Sequence, residues 1–128
     1  MAYAIRDRVF VKEQGVPQQM ERDLNDKQAI HFLAFTRRKA IGTARVVIRR
    51  KSAKIGRMAV LKSHRRNGVG SKLLNRAVET AQKRGAQKIY LHAQVSAIGF
   101  YQAMHFSCVG PVFQEAGIAH QKMTMTVF

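Results

Sequence analysis

The stretch Arg65-Arg66-Asn67-Gly68-Val69-Gly70, followed directly by Ser71 and the run Lys72 to Arg84, is where this sequence concentrates its chemistry. Glycines at 68 and 70 let the backbone turn tightly and leave room for a ligand. A helix beginning there aims its unpaired N–H groups and the positive end of its dipole at the gap. Such a loop is an anion site, with phosphate as its natural guest. A dinucleotide fingerprint would need a further glycine where the chain has Leu73, and a Walker loop needs Gly-Lys-Ser/Thr where it has Gly70-Ser71-Lys72. Neither nucleotide pattern matches, and an ordinary strand-to-helix turn is the lesser alternative for the loop taken alone.

A second constellation lies between His92 and Phe106. Gln94, Ala97 and Tyr101 fall at spacings of three and four, which puts Ala97 and Tyr101 on one face of a short helix below the end of a strand. A third is Met58-Ala59-Val60. In a strand that diverges from its parallel neighbour these residues expose unpaired backbone, able to bond an amide-bearing ligand such as pantetheine as a further strand would. The same residues suit an ordinary core strand.

The elements that must position these groups follow from periodicity. Ile5, Val9 and Phe10 predict a helix over about residues 3 to 12, ending near Gly15 with Pro17 beyond. After a polar loop, Gln18 to Lys27, alternation predicts strands over Ala29 to Phe35, Ile41 to Ile48 and Lys54 to Leu61, an antiparallel meander. In the second of these, Ala44, Val46 and Ile48 share one face and Thr43, Arg45 and Val47 the other. From Val69 the period becomes helical: Val69, Leu73, Leu74, Ala77, Val78 and Ala81 form one apolar stripe, with Gly85 as the C-terminal cap. Lys88 to Ala93 then reads as a strand parallel to the third, reached by the helical crossover. Ser96 is expected to cap a short helix, Ala97 to Met104, before strands around Ser107 to Phe113 and His120 to Val127, joined by the turn Glu115-Ala116-Gly117. The fold class is α/β: a mixed, mostly antiparallel sheet with helices on both faces and a cleft between the two parallel strands, where ligands of open sheets bind.

At 128 residues the chain suits one domain with one core. Its apolar runs are too short for a membrane span, and charge at Arg6 and Asp7 comes too early for a signal peptide, so a cytoplasmic protein is expected. The single cysteine, Cys108, excludes an internal disulfide and reads as a buried strand residue. Net charge is +16, with basic clusters at Arg37-Arg38-Lys39, Arg49-Arg50-Lys51, Lys62 to Arg66 and Lys83-Arg84. A basic module that binds nucleic acid or the ribosome is therefore the alternative that electrostatics favours. Most clusters fall at expected turns and helix ends, ordinary places for solvated Lys and Arg, and stacking aromatics are not evident.

The loop resembles the Arg/Gln-x-x-Gly-x-Gly/Ala segment of the GNAT superfamily of acyl-CoA-dependent N-acyltransferases, which wraps the pyrophosphate of coenzyme A. Residues 94 to 106 are similar to the Asn-x-x-Ala-x-x-x-Tyr and Phe-Tyr-x-x-x-Gly-Phe signature that follows the loop in that family, one helix and one strand later. Val9 to Pro17, the segment Ala29 to Ala34 and Gln114 to Met123 extend the likeness, to the ElaA-like group, over nearly the whole chain. The resemblance implies an N-acetyltransferase that moves an acetyl group from acetyl-CoA to a small-molecule or peptide amine. It implies that Met58, Ala59 and Val60 meet pantetheine, that Arg65, Arg66, Asn67, Gly68, Val69, Gly70 and Ser71 hold the pyrophosphate, and that Gln94 and Ala97 complete the site. Tyr101 would be the general acid, a phenol of pKa near 10 handing its proton to a departing thiolate.

For the general base, Glu13, His31, His92 and Glu115 are candidates; Glu13 comes first and His31 second, and spacing does not choose among them. The five histidines lack ligand spacing, so no metal site is expected. Three departures stand out. His105 occupies the glycine position after the short helix, and Gln94 replaces the commoner Asn. Family members also begin with a strand ahead of the first helix, whereas this sequence starts almost inside that helix. An open sheet edge then predicts either a homodimer that covers it or a fragment of a longer protein.

Overall fold

The computed structural model describes residues 2–6, 8–10, 14, 29–37 and 39–126. Helix α1 (Ala2–Arg6) is followed by strands β1 (Ile30–Thr36), β2 (Lys39–Arg49) and β3 (Ser52–Val60), then helix α2 (Val69–Lys83) and strand β4 (Lys88–Gln94). A short helix α3 (Ile98–Ala103) leads into the hairpin β5 (Ser107–Glu115) and β6 (Ile118–Thr126). The strands form one sheet in the order β1-β2-β3-β4-β6-β5. Only β3 and β4 run parallel; every other neighbouring pair is antiparallel.

The sheet is covered on both faces. Val46, Ala53, Ile55, Ile89, Leu91, Ala93 and Met123 meet Leu74, Ala77 and Ala81 of α2 and Phe106 in the main core. On the opposite face Ile5 and Val9 pack with Ala59 and Leu61. Strand β2 is accordingly buried from Ile41 to Val47 on both sides of its pleat, Thr43 and Arg45 included. Gly42 lies under α2: a side chain there would begin 2.9 Å from Leu73 Cδ1 and 3.2 Å from Val69 Cγ1. The glycine lets the first turns of α2 rest directly on the sheet.

Beside this agreement stand three corrections. The first helix starts at Ala2, and residues 8–10 form a wider turn in which Gln14 N–H donates to Val9 O at 3.0 Å, five residues back. Ser96 does not cap the short helix: Val95–Ala97 make a 3-10 turn, Ala97 takes the N-cap position, and no side chain caps it. Cys108 is exposed rather than buried, because β5 is an edge strand open over most of its length. Gly85 does end α2, at φ 88°, with Ala86 N–H bonded to Ala81 O at 3.0 Å.

Strands β3 and β4 pair only from Ser52/Lys88 to Ile55/Leu91. Beyond that point Arg45 pairs with Gly56 and Thr43 with Ala59, so Ala44 alone faces both Arg57 and Met58. This is a bulge, with Arg57 in the left-handed region at φ 48°. The extra residue bends β3 away from β4 while β4 stays bonded to β6 through Gln94. The cleft between the parallel strands opens where the bulge sits.

Candidate active site

The bulge leaves Ala59 and Val60 paired to β2 on one side, and Met58, Ala59 and Val60 unpaired toward β4 on the other. Two cavities adjoin them. One, of about 490 Å³, is lined by Met58, Ala59 and Val60 together with Arg65, Arg66, Gly68, Gly70 and Ser71. The other, of about 560 Å³, runs over the face of β2, β3 and β4 opposite α2. Gln14, Met58, Ala97 and Tyr101 line both.

The loop has the geometry its glycines require. Arg66 and Gly68 stand at φ 66° and 79°, and Gly68 is the N-cap of α2 with no side-chain cap bond. The first intrahelical bond is Lys72 N–H to Gly68 O, at 3.1 Å. The N–H groups of Val69, Gly70 and Ser71 consequently have no partner within the helix and point out of its positive end. At Gly70 a side chain would begin 3.5 Å from the Phe100 ring, so α2 starts close against α3. Arg65 Nε donates to Val60 O at 2.9 Å, tying the loop to the diverging strand. Asn67 and Val69 do not line the cavity: Asn67 is exposed, and the Val69 side chain turns down onto Gly42.

Tyr101, on α3, packs edge-on against Phe100 and Phe106 with ring centroids 5.1 and 6.2 Å away. Burial pushes its phenol up to about 12, because the surroundings cannot solvate a phenolate. The hydroxyl therefore keeps its proton at any physiological pH. Gln94, at the end of β4, donates from Nε2 to Gln14 Oε1 at 2.8 Å, a contact that ties Gln14 to the mouth of the cleft.

Of the candidate bases, Glu13 lies outside the described residues. His31 is exposed on the edge strand β1, opposite Arg45, and lines neither cavity. His92 and Glu115 come together in the larger cavity, with His92 Nδ1 3.2 Å from Glu115 Oε2. A carboxylate only accepts, so Nδ1 carries the hydrogen and the lone pair sits on Nε2. Burial, followed by the nearby Lys54 charge, holds His92 below its ordinary 6.5, against the raising influence of Glu115. An edge contact with Phe113 at 5.1 Å helps to fix the ring.

Gln14, Arg45, Lys54 and His120 are among the polar lining residues that sequence did not assign to the site. His120 Nδ1 donates to Ile118 O at 2.7 Å, and the ring stacks on Phe113. The available signal was strand alternation. His92 and Gln94 point to one face of β4, and His120 and Lys122 of β6 pair with Gln94 and His92.

Comparison with known proteins agrees with this fold. The acetyltransferase (GNAT) domain family matches residues 3–127. YjcF of Bacillus subtilis, an uncharacterized N-acetyltransferase, is 34% identical over 95% of this chain and 88% of its own. ElaA of Escherichia coli is 31% identical over 96% of this chain and 84% of its own. The crystal structure of ElaA superposes with a TM-score of 0.86 over 96% of this chain and 86% of that one. An acyl-CoA N-acyltransferase from Pseudomonas aeruginosa, 28% identical, superposes at 0.84 over 94% and 84%. With a family match across nearly its whole length, a sheet split at its parallel pair and a glycine loop at the split, this chain belongs to the GNAT acetyltransferases.

Proposed function

We propose that this protein transfers an acetyl group from acetyl-CoA to a primary amine, with Tyr101 as general acid and His92, oriented by Glu115, as general base. The observation that carries the reading is the position of Tyr101, whose side of α3 lines both cavities at once. The residues present fit the cofactor: three outward N–H groups at the start of α2 suit a pyrophosphate, and the unpaired β3 backbone suits the amides of pantetheine.

Acetyl-CoA, when bound, supplies an acetyl group activated as a thioester. The chain's own residues manage the protons. His92 Nε2 takes a proton from the amine, directly or through water, as the C–N bond forms. Tyr101 Oη holds the proton that the sulfur needs as the C–S bond breaks. A phenol that resists ionisation in a buried site matches a thiolate whose charge the same surroundings disfavour. No covalent bond to the enzyme is required. Among the described candidates His92 takes the base role ahead of His31 because it lines the acceptor cavity beside a carboxylate that fixes its tautomer.

A melting curve with and without acetyl-CoA tests the cofactor half. Cofactor at a hundred times its Kd adds about 2.7 kcal/mol to stability. No shift at millimolar acetyl-CoA overturns the reading. Thiol release across a panel of amines tests the transfer itself.

A further inference from the structure

Among its described residues, the acceptor half of the cleft carries an uneven set of charges. Arg45 and Arg49 from β2, and Lys54 and Arg57 from β3, line the larger cavity. Among the described lining residues Glu115 is the sole carboxylate, and it is engaged with His92. We propose that the acceptor is a primary amine that also bears an anionic group, a carboxylate or a phosphate, and that Arg45 and Lys54 receive that group beside His92. The proposal rests on the acetyl-transfer reading and narrows its substrate.

Arg45 is 4% exposed, in a buried stretch of β2 whose other polar side chain is Thr43. Its Nε lies 3.9 Å from the point where a Gly56 side chain would begin, so the guanidinium stretches across Gly56, where β3 leaves β4. Arg45 and Lys54 both make further contacts within the protein. A guanidinium already held in place is a better anion receptor, because its planar fork loses little freedom on binding. Lys54 pairs with Tyr90, two residues before His92 on the same face of β4, which is about 7 Å along the strand. After burial, Lys54 contributes most to keeping His92 neutral, so its positive field reaches the base.

That field acts on an acceptor in two ways. It disfavours an ammonium near His92, which eases the deprotonation that must precede attack. It also repels an amine with nothing negative attached. An anionic group elsewhere on the acceptor resolves the conflict, drawing the molecule in while its nitrogen is released as the free base. A polyamine gains only the repulsion.

The test uses the purified protein at fixed acetyl-CoA, read by thiol release, with β-alanine against β-alaninamide and phosphoethanolamine against ethanolamine. Spermidine serves as the cationic control. For at least one pair, kcat/KM of the anionic member should exceed its partner by tenfold or more, about 1.4 kcal/mol. Most of the difference should lie in KM, with spermidine slowest. The two pairs tell carboxylate from phosphate. Lys54→Gln should shrink the anionic-over-neutral ratio at least fivefold by raising KM, and Lys54→Arg should retain it. Equal use of both members in each pair, faster turnover of spermidine, or turnover of neither pair by a protein that acetyl-CoA still stabilises, overturns the acceptor class and leaves the acetyl-CoA reading standing. A protein that acetyl-CoA does not stabilise loses both.

Discussion

The two halves of the cleft are made of different material. The half facing the Arg65–Ser71 loop presents main chain: the N–H groups that open α2 and the unpaired edge of β3. The other half, proposed to take the acceptor, presents side chains gathered from strands β2, β3, β4 and β6 and from the end of β5. Main-chain groups are the same whatever the side chains are, so the first half demands only small residues and a turn from a short stretch of sequence. The second half is set by individual residues far apart in the chain, as Gln14 and Gln94 illustrate. One fold can therefore hold its cofactor constant while its acceptor changes.

Tyr101 stands at the junction, and removing its hydroxyl is the sharpest way to separate the halves. Tyr101→Phe should lower kcat by about 10³-fold, within the usual range for acid–base groups. The melting shift on adding acetyl-CoA should persist, since the ring still packs on Phe100 and Phe106. Unchanged turnover would take Tyr101 out of the mechanism.

His92→Gln attacks the side-chain half alone, with an expected loss of about 10² in kcat/KM and little change in acetyl-CoA binding. The pH profile sharpens the assignment. A base held below 6.5 is neutral at pH 7, so the rate should fall only as pH drops through that lowered value. Glu115 raises the His92 pKa and Lys54 lowers it. Glu115→Gln should therefore move the acid limb of kcat/KM to lower pH, and Lys54→Gln to higher pH. Limbs that stay in place in both variants would assign the base elsewhere.

The same division explains what could be read in advance. The loop, the α2 stripe and the alternation of β2 are local patterns, each visible within a few turns or strand residues, and they foretold most of the sheet and the glycine turn that opens α2. The bulge was not visible, because its left-handed residue is Arg57, and nothing at an arginine marks φ 48° as a glycine would. The His92–Glu115 pair joins residues 23 apart through the order β4-β6-β5, which puts the last strand inside the sheet and the one before it at the edge. Apolar neighbours made Cys108 read as core, yet an edge strand leaves such residues exposed.

Gly42 offers a way to disturb the main-chain half without touching the loop. A methyl group there would meet Leu73 Cδ1 at 2.9 Å, Val69 Cγ1 at 3.2 Å and Ala59 O at 3.3 Å. Leu73 can rotate, but the Ala59 carbonyl is backbone beside the bulge. Gly42→Ala should cost about 1–3 kcal/mol in chemical denaturation, the usual range for overpacking. It should also reduce the stabilisation by acetyl-CoA, because the first turn of α2 must lift. A destabilised protein with undiminished cofactor response would mean that the anion site does not depend on how α2 is seated.

The smallest effect concerns the helix that carries Tyr101. His105 stands at φ 73° directly after α3, with its N–H bonded to Gln102 O at 3.1 Å and Phe106 N–H to Tyr101 O at 3.0 Å. These bonds close the helix as a glycine would, but with a β-carbon in a region that costs L-residues about 1–2 kcal/mol. Glycine removes that strain and adds unfolded-state entropy, which offsets part of the gain. His105→Gly should thus stabilise the protein by about 0.5–1 kcal/mol, a rise of a few degrees in melting temperature. Because the strain sits at the end of α3 and touches neither half of the cleft, kcat/KM should hold steady. A fall in kcat alongside the higher melting temperature would instead make the strained histidine part of how Tyr101 is held between the two halves.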